Sequence, residues 1–264
     1  MKTRLLAAAV GLGILLPALF WGGVLAVDIL VGAVMVVLLT EYTAMAFPED
    51  RNASMGFMSL SLAACAGIPL YTGAGHWGPA WMMTCVATLM YVVFRPGPDL
   101  SRAADRFARL YAGTIWLSLL VCIPMLRRLD EGLAWVFLVL AISWCGDTGG
   151  YFAGRFFGRT KLYPLISPKK TWEGVVGGVL FAVGGVFVVR HLGLPQLTAT
   201  ECVVLGVGLC GVGVIGDLGE SMMKRSFDVK DSGWIMPGHG GLLDRVDSVL
   251  FVAPFVYAFA MYKT

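Results

Sequence analysis

The sequence predicts an all-α integral membrane protein of about nine transmembrane helices, with the N-terminus cytoplasmic and the C-terminus periplasmic or outside. Three observations predict it. Mean hydropathy is +0.77, with 58% apolar and only 14% charged residues, a composition foreign to water-soluble domains. The apolar residues gather into nine largely uncharged runs, several near the ~20 residues that cross a bilayer as a helix. The basic residues fall in alternate connections, the signature of cytoplasmic loops.

The runs occupy residues 5–20, 24–45, 57–71, 77–94, 107–125, 133–145, 174–189, 202–216 and 246–261. Residues 2–19 resemble a signal peptide, a basic start and an apolar stretch, but no A-x-A site follows and the hydrophobic pattern recurs throughout, so a retained first helix is expected. Only Trp21, Gly22 and Gly23 separate the first two runs. Fusing them would invert everything downstream, and loop charge decides. With nine spans, all but Arg127, Arg128, Arg190 and Lys263 of the 20 Lys and Arg residues lie on the side of the N-terminus. Asp28 lies inside an early span, and a short preceding hairpin makes an interfacial position the plainer reading.

Glycine is abundant, with 34 residues, many paired inside the runs, as expected of helices that must approach closely in lipid. Gly206 to Gly211 and Gly211 to Gly216 each match G-x-G-x-x-G, but inside an apolar span they lack the strand that a dinucleotide fingerprint requires and read as packing glycines. The six cysteines have no C-x-x-C spacing and read as packing residues, not disulfides or zinc ligands. The net charge of +3 is small, and no nucleic-acid partner is expected. Residues 1–130 read as a scaffold of helices and residues 131–264 as the helices that carry the chemistry.

Three polar segments share the inner side. The first runs from Gly146-Asp147-Thr148 through Arg155, Arg159 and Lys161 to Ser167-Pro-Lys169-Lys170-Thr171-Trp-Glu173-Gly174. Cations, hydroxyls and glycine-freed amides together suit a polyphosphate, although an ordinary basic loop touching lipid headgroups has the same composition. In the second, Asp217, Glu220, Ser221 and Lys224 share one helix face at i, i+3, i+4 and i+7. An acid near a helix C-terminus needs a compensating cation, either Lys224 or a metal. The third, Lys230-Asp231 to Pro237-Gly-His239-Gly-Gly241-x-x-Asp244-Arg245-x-Asp247-Ser248, combines sharp turns with two carboxylates and a serine on one helix face. That exceeds what helix capping needs. Asp217 and Asp244 are expected to face each other across the inner mouth, and oxygen ligands of this kind suit Mg²⁺.

The pattern Ser221-x-x-Lys224-Arg225, Lys230-Asp231-x-Gly233, Pro237-x-His239-Gly240-Gly241-x-x-Asp244-Arg245-x-Asp247 closely resembles the signature of the CDP-diacylglycerol synthases, or phosphatidate cytidylyltransferases. Gly146-Asp147-Thr148 and Ser167 to Gly174 are similar to that family's segments too, so the resemblance runs from about Trp144 onward; Trp234 and Met236 depart from its usual residues. The resemblance implies condensation of CTP with phosphatidate in the cell inner membrane, with Mg²⁺ required and the site facing the cytoplasm. It implies Asp217 and Asp244 as first-choice metal ligands and catalytic residues together with Lys224, and Asp247 and Glu220 as second-choice ligands. Lys224, Arg225, Lys230 and Arg245 then hold CTP phosphates or pyrophosphate; Ser167, Lys169 and Lys170, with Ser221, contact substrate phosphates. Asp147 is left for a second cation or the nucleotide, and His239 for shaping the glycine-rich turn. The partners are CTP, phosphatidate and membrane lipid, with a homodimer allowed. Two other classes compete: a CTP-dependent lipid kinase, which releases CDP instead of pyrophosphate, and a transporter, whose site would sit near the bilayer midplane.

Overall fold

The computed structural model describes residues 2–97, 99–233 and 240–263. Among the described residues ten α-helices follow one another: α1 Lys2–Phe20, α2 Gly23–Ala46, α3 Arg51–Thr72, α4 Trp77–Phe94, α5 Ala103–Ser118, α6 Cys122–Arg127, α7 Gly132–Phe157, α8 Trp172–Gly193, α9 Ala199–Ser226 and α10 Leu243–Lys263. A two-stranded antiparallel hairpin, β1 Lys161–Tyr163 and β2 Ser167–Thr171, is inserted between α7 and α8. Eight helical segments among the described residues are long and apolar enough to cross a membrane. Of these, Leu100–Arg127 joins α5 and α6 through a 3₁₀ turn, while α1 adds a shorter apolar stretch, Ala9–Phe20. The glycines of the apparent dinucleotide fingerprint lie within α9, with no strand before them, as expected.

The helices outrun the apolar stretches that announce them. The run at 133–145 belongs to a helix that continues to Phe157, and the run at 202–216 to one that continues to Ser226. Backbone hydrogen bonding persists past the point where side chains become polar, so Asp147, Asp217, Glu220 and Lys224 are helical residues held at fixed angles.

The chain forms two compact units. One comprises Met1–Asp28 with Cys122–Thr264, the other Ile29–Val121. The first unit thus joins α1 and the start of α2 to the C-terminal helices. Two contacts explain this: Phe20 packs on Phe137, and Asp28 takes both its oxygens to the Arg128 guanidinium at 2.7 and 2.6 Å. Asp28 thus forms a bidentate ion pair 100 residues across the chain.

In the first unit, α7 and α8 are in backbone contact. A Cβ on Gly149 would stand 2.6 Å from the Gly177 carbonyl oxygen and 2.6 Å from Phe181 Cβ, so only glycine permits the approach. Trp135, Leu138 and Ile142 of α7 are fully buried, with Val252 and Val256 of α10. Thr171 caps α8 by accepting from Gly174 N at 3.1 Å, and a Thr198–Glu201 capping box starts α9. In the second unit, the Tyr42 ring lies against Gly113 and its hydroxyl donates to the Arg109 carbonyl at 2.8 Å. Arg106 pairs with Asp50 and lies over the Tyr91 ring.

Candidate active site

The ends of α9 and α10 meet the hairpin and the middle of α7 in one polar region of the first unit. Helical spacing aligns Asp217, Glu220 and Lys224 on α9, and the first turns of α10 supply Asp244, Asp247 and Ser248. Strand β2 delivers Lys170, and α7 delivers Asp147.

Two adjoining clusters result. In one, Lys224 Nζ lies 2.5 Å from Glu220 Oε2 and donates to Asp244 Oδ1. Glu220 is buried, and Lys224 is the cation beside it. Asp244 Oδ2 accepts from Ser232 N at 3.1 Å, Ser232 Oγ at 3.0 Å and Gly241 N at 2.8 Å. This clasp depends on Gly240, whose φ is +81° and whose Cβ, if present, would lie 2.7 Å from Asp244 Oδ2.

In the other cluster, Lys170 Nζ stands 2.5 Å from Asp217 Oδ2. Asp217 is also an electrostatic neighbour of Asp147 and of Asp247, and Asp147 bonds Ser248 and feels Lys170 and Arg245. Asp247 is buried and accepts from Ser248 N at 2.7 Å. A small cavity of about 10 Å³ reaches from Asp147 and Ser248 toward Ser143 and Cys210.

Most of the residues singled out in the sequence are therefore assembled: Asp147, Lys170, Asp217, Glu220, Lys224, Asp244, Arg245 and Asp247. Asp217 and Asp244 each have a lysine partner, because β2 brings Lys170 to the first and α9 supplies Lys224 to the second. Arg225 and Lys230 are exposed, and Arg225 bonds the Val229 carbonyl. Ser167 and Ser221 are half-buried and Lys169 is exposed. His239, with Trp234 and Met236, lies outside the described residues. Ser232 escaped the sequence reading, although its place beside Asp231 in a glycine-bounded turn was a usable signal.

Lysines pair with the carboxylates here, and among the described residues no three Asp, Glu, His or Cys side chains are grouped to hold a metal ion. The donor set itself suits a hard divalent cation: it is all oxygen, rich in carboxylate, and includes the buried carboxylate of Glu220.

Fold and site together define a helical membrane protein with a charged cluster suited to phosphate groups at its helix ends. The chain belongs to the cytidylyltransferase family, whose sequence model matches residues 2–263. It is 34% identical over 265 residues to a phosphatidate cytidylyltransferase of Staphylococcus epidermidis, covering 97% of each chain. It is also 46% identical over 136 residues to the phosphatidate cytidylyltransferase of Bacillus subtilis, and 43% over 129 residues to that of Haemophilus influenzae. Those two alignments span about half of each protein: 50% of this chain and 49% of the Bacillus protein, and 47% and 45% for the Haemophilus pair.

Proposed function

We propose that this protein transfers the cytidylyl group of CTP to phosphatidate, giving CDP-diacylglycerol and pyrophosphate. The observation that carries the reading is the convergence of Lys170, Asp217, Lys224 and Asp244 in a chain similar over nearly its whole length to a phosphatidate cytidylyltransferase. A phosphatidate oxygen attacks the α-phosphorus of CTP, a P–O bond forms, and the bond to the β-phosphate breaks in line. The attacking phosphate monoester is largely ionised at neutral pH, its second pKa being about 6, so no general base is required. The obstacle is repulsion between two polyanions, and positioned cations overcome it.

Lys224, Arg225, Lys230 and Arg245 hold the CTP phosphates and then the leaving pyrophosphate. Ser167, Lys169, Lys170 and Ser221 contact substrate phosphates, and His239 shapes the adjoining turn. Asp217 and Asp244 would be the principal ligands of Mg²⁺, with Asp247 and Glu220 behind them and Asp147 serving a second cation or the nucleotide. When bound, the ion supplies neutralising charge at the phosphates. The protein lies in the cell inner membrane with its N-terminus and site toward the cytoplasm, a reading supported by the basic residues of the inner connections. A homodimer is the proposed assembly.

The test uses purified protein in liposomes with CTP, phosphatidate and Mg²⁺. CDP-diacylglycerol and pyrophosphate are expected; release of CDP with a phosphorylated lipid would indicate a kinase instead. Asp217→Asn and Asp244→Asn should each lower turnover by roughly 10³-fold, and wild-type turnover in both would overturn the metal assignment.

A further inference from the structure

Beside the site, the segment from the end of α7 through the hairpin to the start of α8 carries two exposed populations of side chains. Arg155, Arg159, Lys161 and Lys169 are all exposed. Among the described residues none of the four has an ion-pair partner, and the neighbouring Glu173 is occupied, receiving the Thr160 amide at 3.1 and 3.2 Å. Arg155 is held upright by its bond to the Tyr151 hydroxyl at 2.7 Å. Interleaved with these cations are large apolar groups, Phe156, Phe157, Tyr163 and Leu165, the last 83% exposed at the hairpin turn. Aromatic and aliphatic groups of this kind settle at the depth of lipid headgroups and acyl chains, where unpaired cations meet phosphate.

Strand β2 connects this surface to the chemistry. Successive strand residues point to opposite faces. Lys169 is exposed while Lys170 turns inward to Asp217 at 2.5 Å. The residue next to the exposed Lys169 is thus the one that pairs with a carboxylate of the site.

We propose that the exposed cations and apolar groups between Arg155 and Lys169 form a capture surface for the lipid substrate: the cations collect the phosphate monoester headgroup and the apolar groups sit among its acyl chains. This inference rests on the proposed function. An ordinary basic loop would share the composition but would leave the use of substrate untouched, and that difference is measurable.

The experiment compares wild type with an Arg155→Gln, Arg159→Gln, Lys161→Gln variant in phosphatidylcholine vesicles, varying the mole fraction of phosphatidate at saturating CTP. The KM for phosphatidate should rise by about fivefold per charge removed, with kcat and the KM for CTP unchanged. The charge-conserving Arg155→Lys, Arg159→Lys, Lys161→Arg variant should restore it. A water-soluble short-chain phosphatidate, which meets the cations through the same headgroup but is not gathered at a surface, should shift by less. An unchanged KM for vesicle phosphatidate, an equal shift with the soluble analogue, or loss confined to kcat would each overturn the capture surface. Wild type that makes no CDP-diacylglycerol refutes the proposed function; wild type that makes it, with an indistinguishable triple variant, refutes this inference alone.

Discussion

Lys224 stands between the buried Glu220 and the partly buried Asp244, and its removal has two separable effects. Lys224→Met leaves Glu220 and Asp244 facing each other without a cation, at a cost of about 3–5 kcal/mol typical of breaking a buried charge cluster. The thermal midpoint in detergent should fall accordingly. Adding Glu220→Gln in that background should recover stability but not activity, because the charge proposed to hold phosphate is still missing. Gly240→Ala isolates a different function. Its Cβ would meet Asp244 Oδ2, and L residues avoid φ of +81°, so the clasp on Ser232 and Gly241 must shift. Turnover should drop by at least about tenfold, as expected when a catalytic group is misplaced by a fraction of an ångström or more, while the helical circular dichroism signal stays unchanged. A fully active Gly240→Ala would mean that Asp244 does not need this anchorage.

At the scale of elements, the contact between α7 and α8 holds Asp147 and the hairpin in place. Gly149→Leu should lower the thermal midpoint and expel the two helices from contact, whereas Gly184→Leu, whose Cβ meets nothing within 4 Å, should be silent. Equal behaviour of the two variants in a thermal-shift assay would show that the backbone approach carries no stability. The helices were legible in the sequence because lipid demands uncharged runs, and the carboxylates of α9 were legible because helical spacing puts 217, 220 and 224 on one face. Two features were not. The hairpin reads from its residues as a basic loop, since Ser167 to Thr171 lacks the alternation of apolar side chains that marks a half-buried strand. The pairing of Asp217 with Lys170 joins residues from distant elements, and residue types alone do not say which of several lysines an acid will take.

For the molecule as a whole, the orientation proposed from the asymmetry of basic residues is testable. Leu165 is exposed at the hairpin turn, and the native cysteines are free and largely buried. A Leu165→Cys variant should react with a membrane-impermeant maleimide in inside-out vesicles and be protected in right-side-out ones. The opposite pattern would place the site toward the outer face and remove its access to cytoplasmic CTP.

The order of the chain adds a constraint on biogenesis. Residues 29–121 interrupt the other unit as a guest inside a host. A ribosome emits the guest in full while the opening helices of the host are still without their partners. Asp28 must wait at the membrane for Arg128, made 100 residues later, so insertion of the early helices cannot lean on the clasp that later secures them.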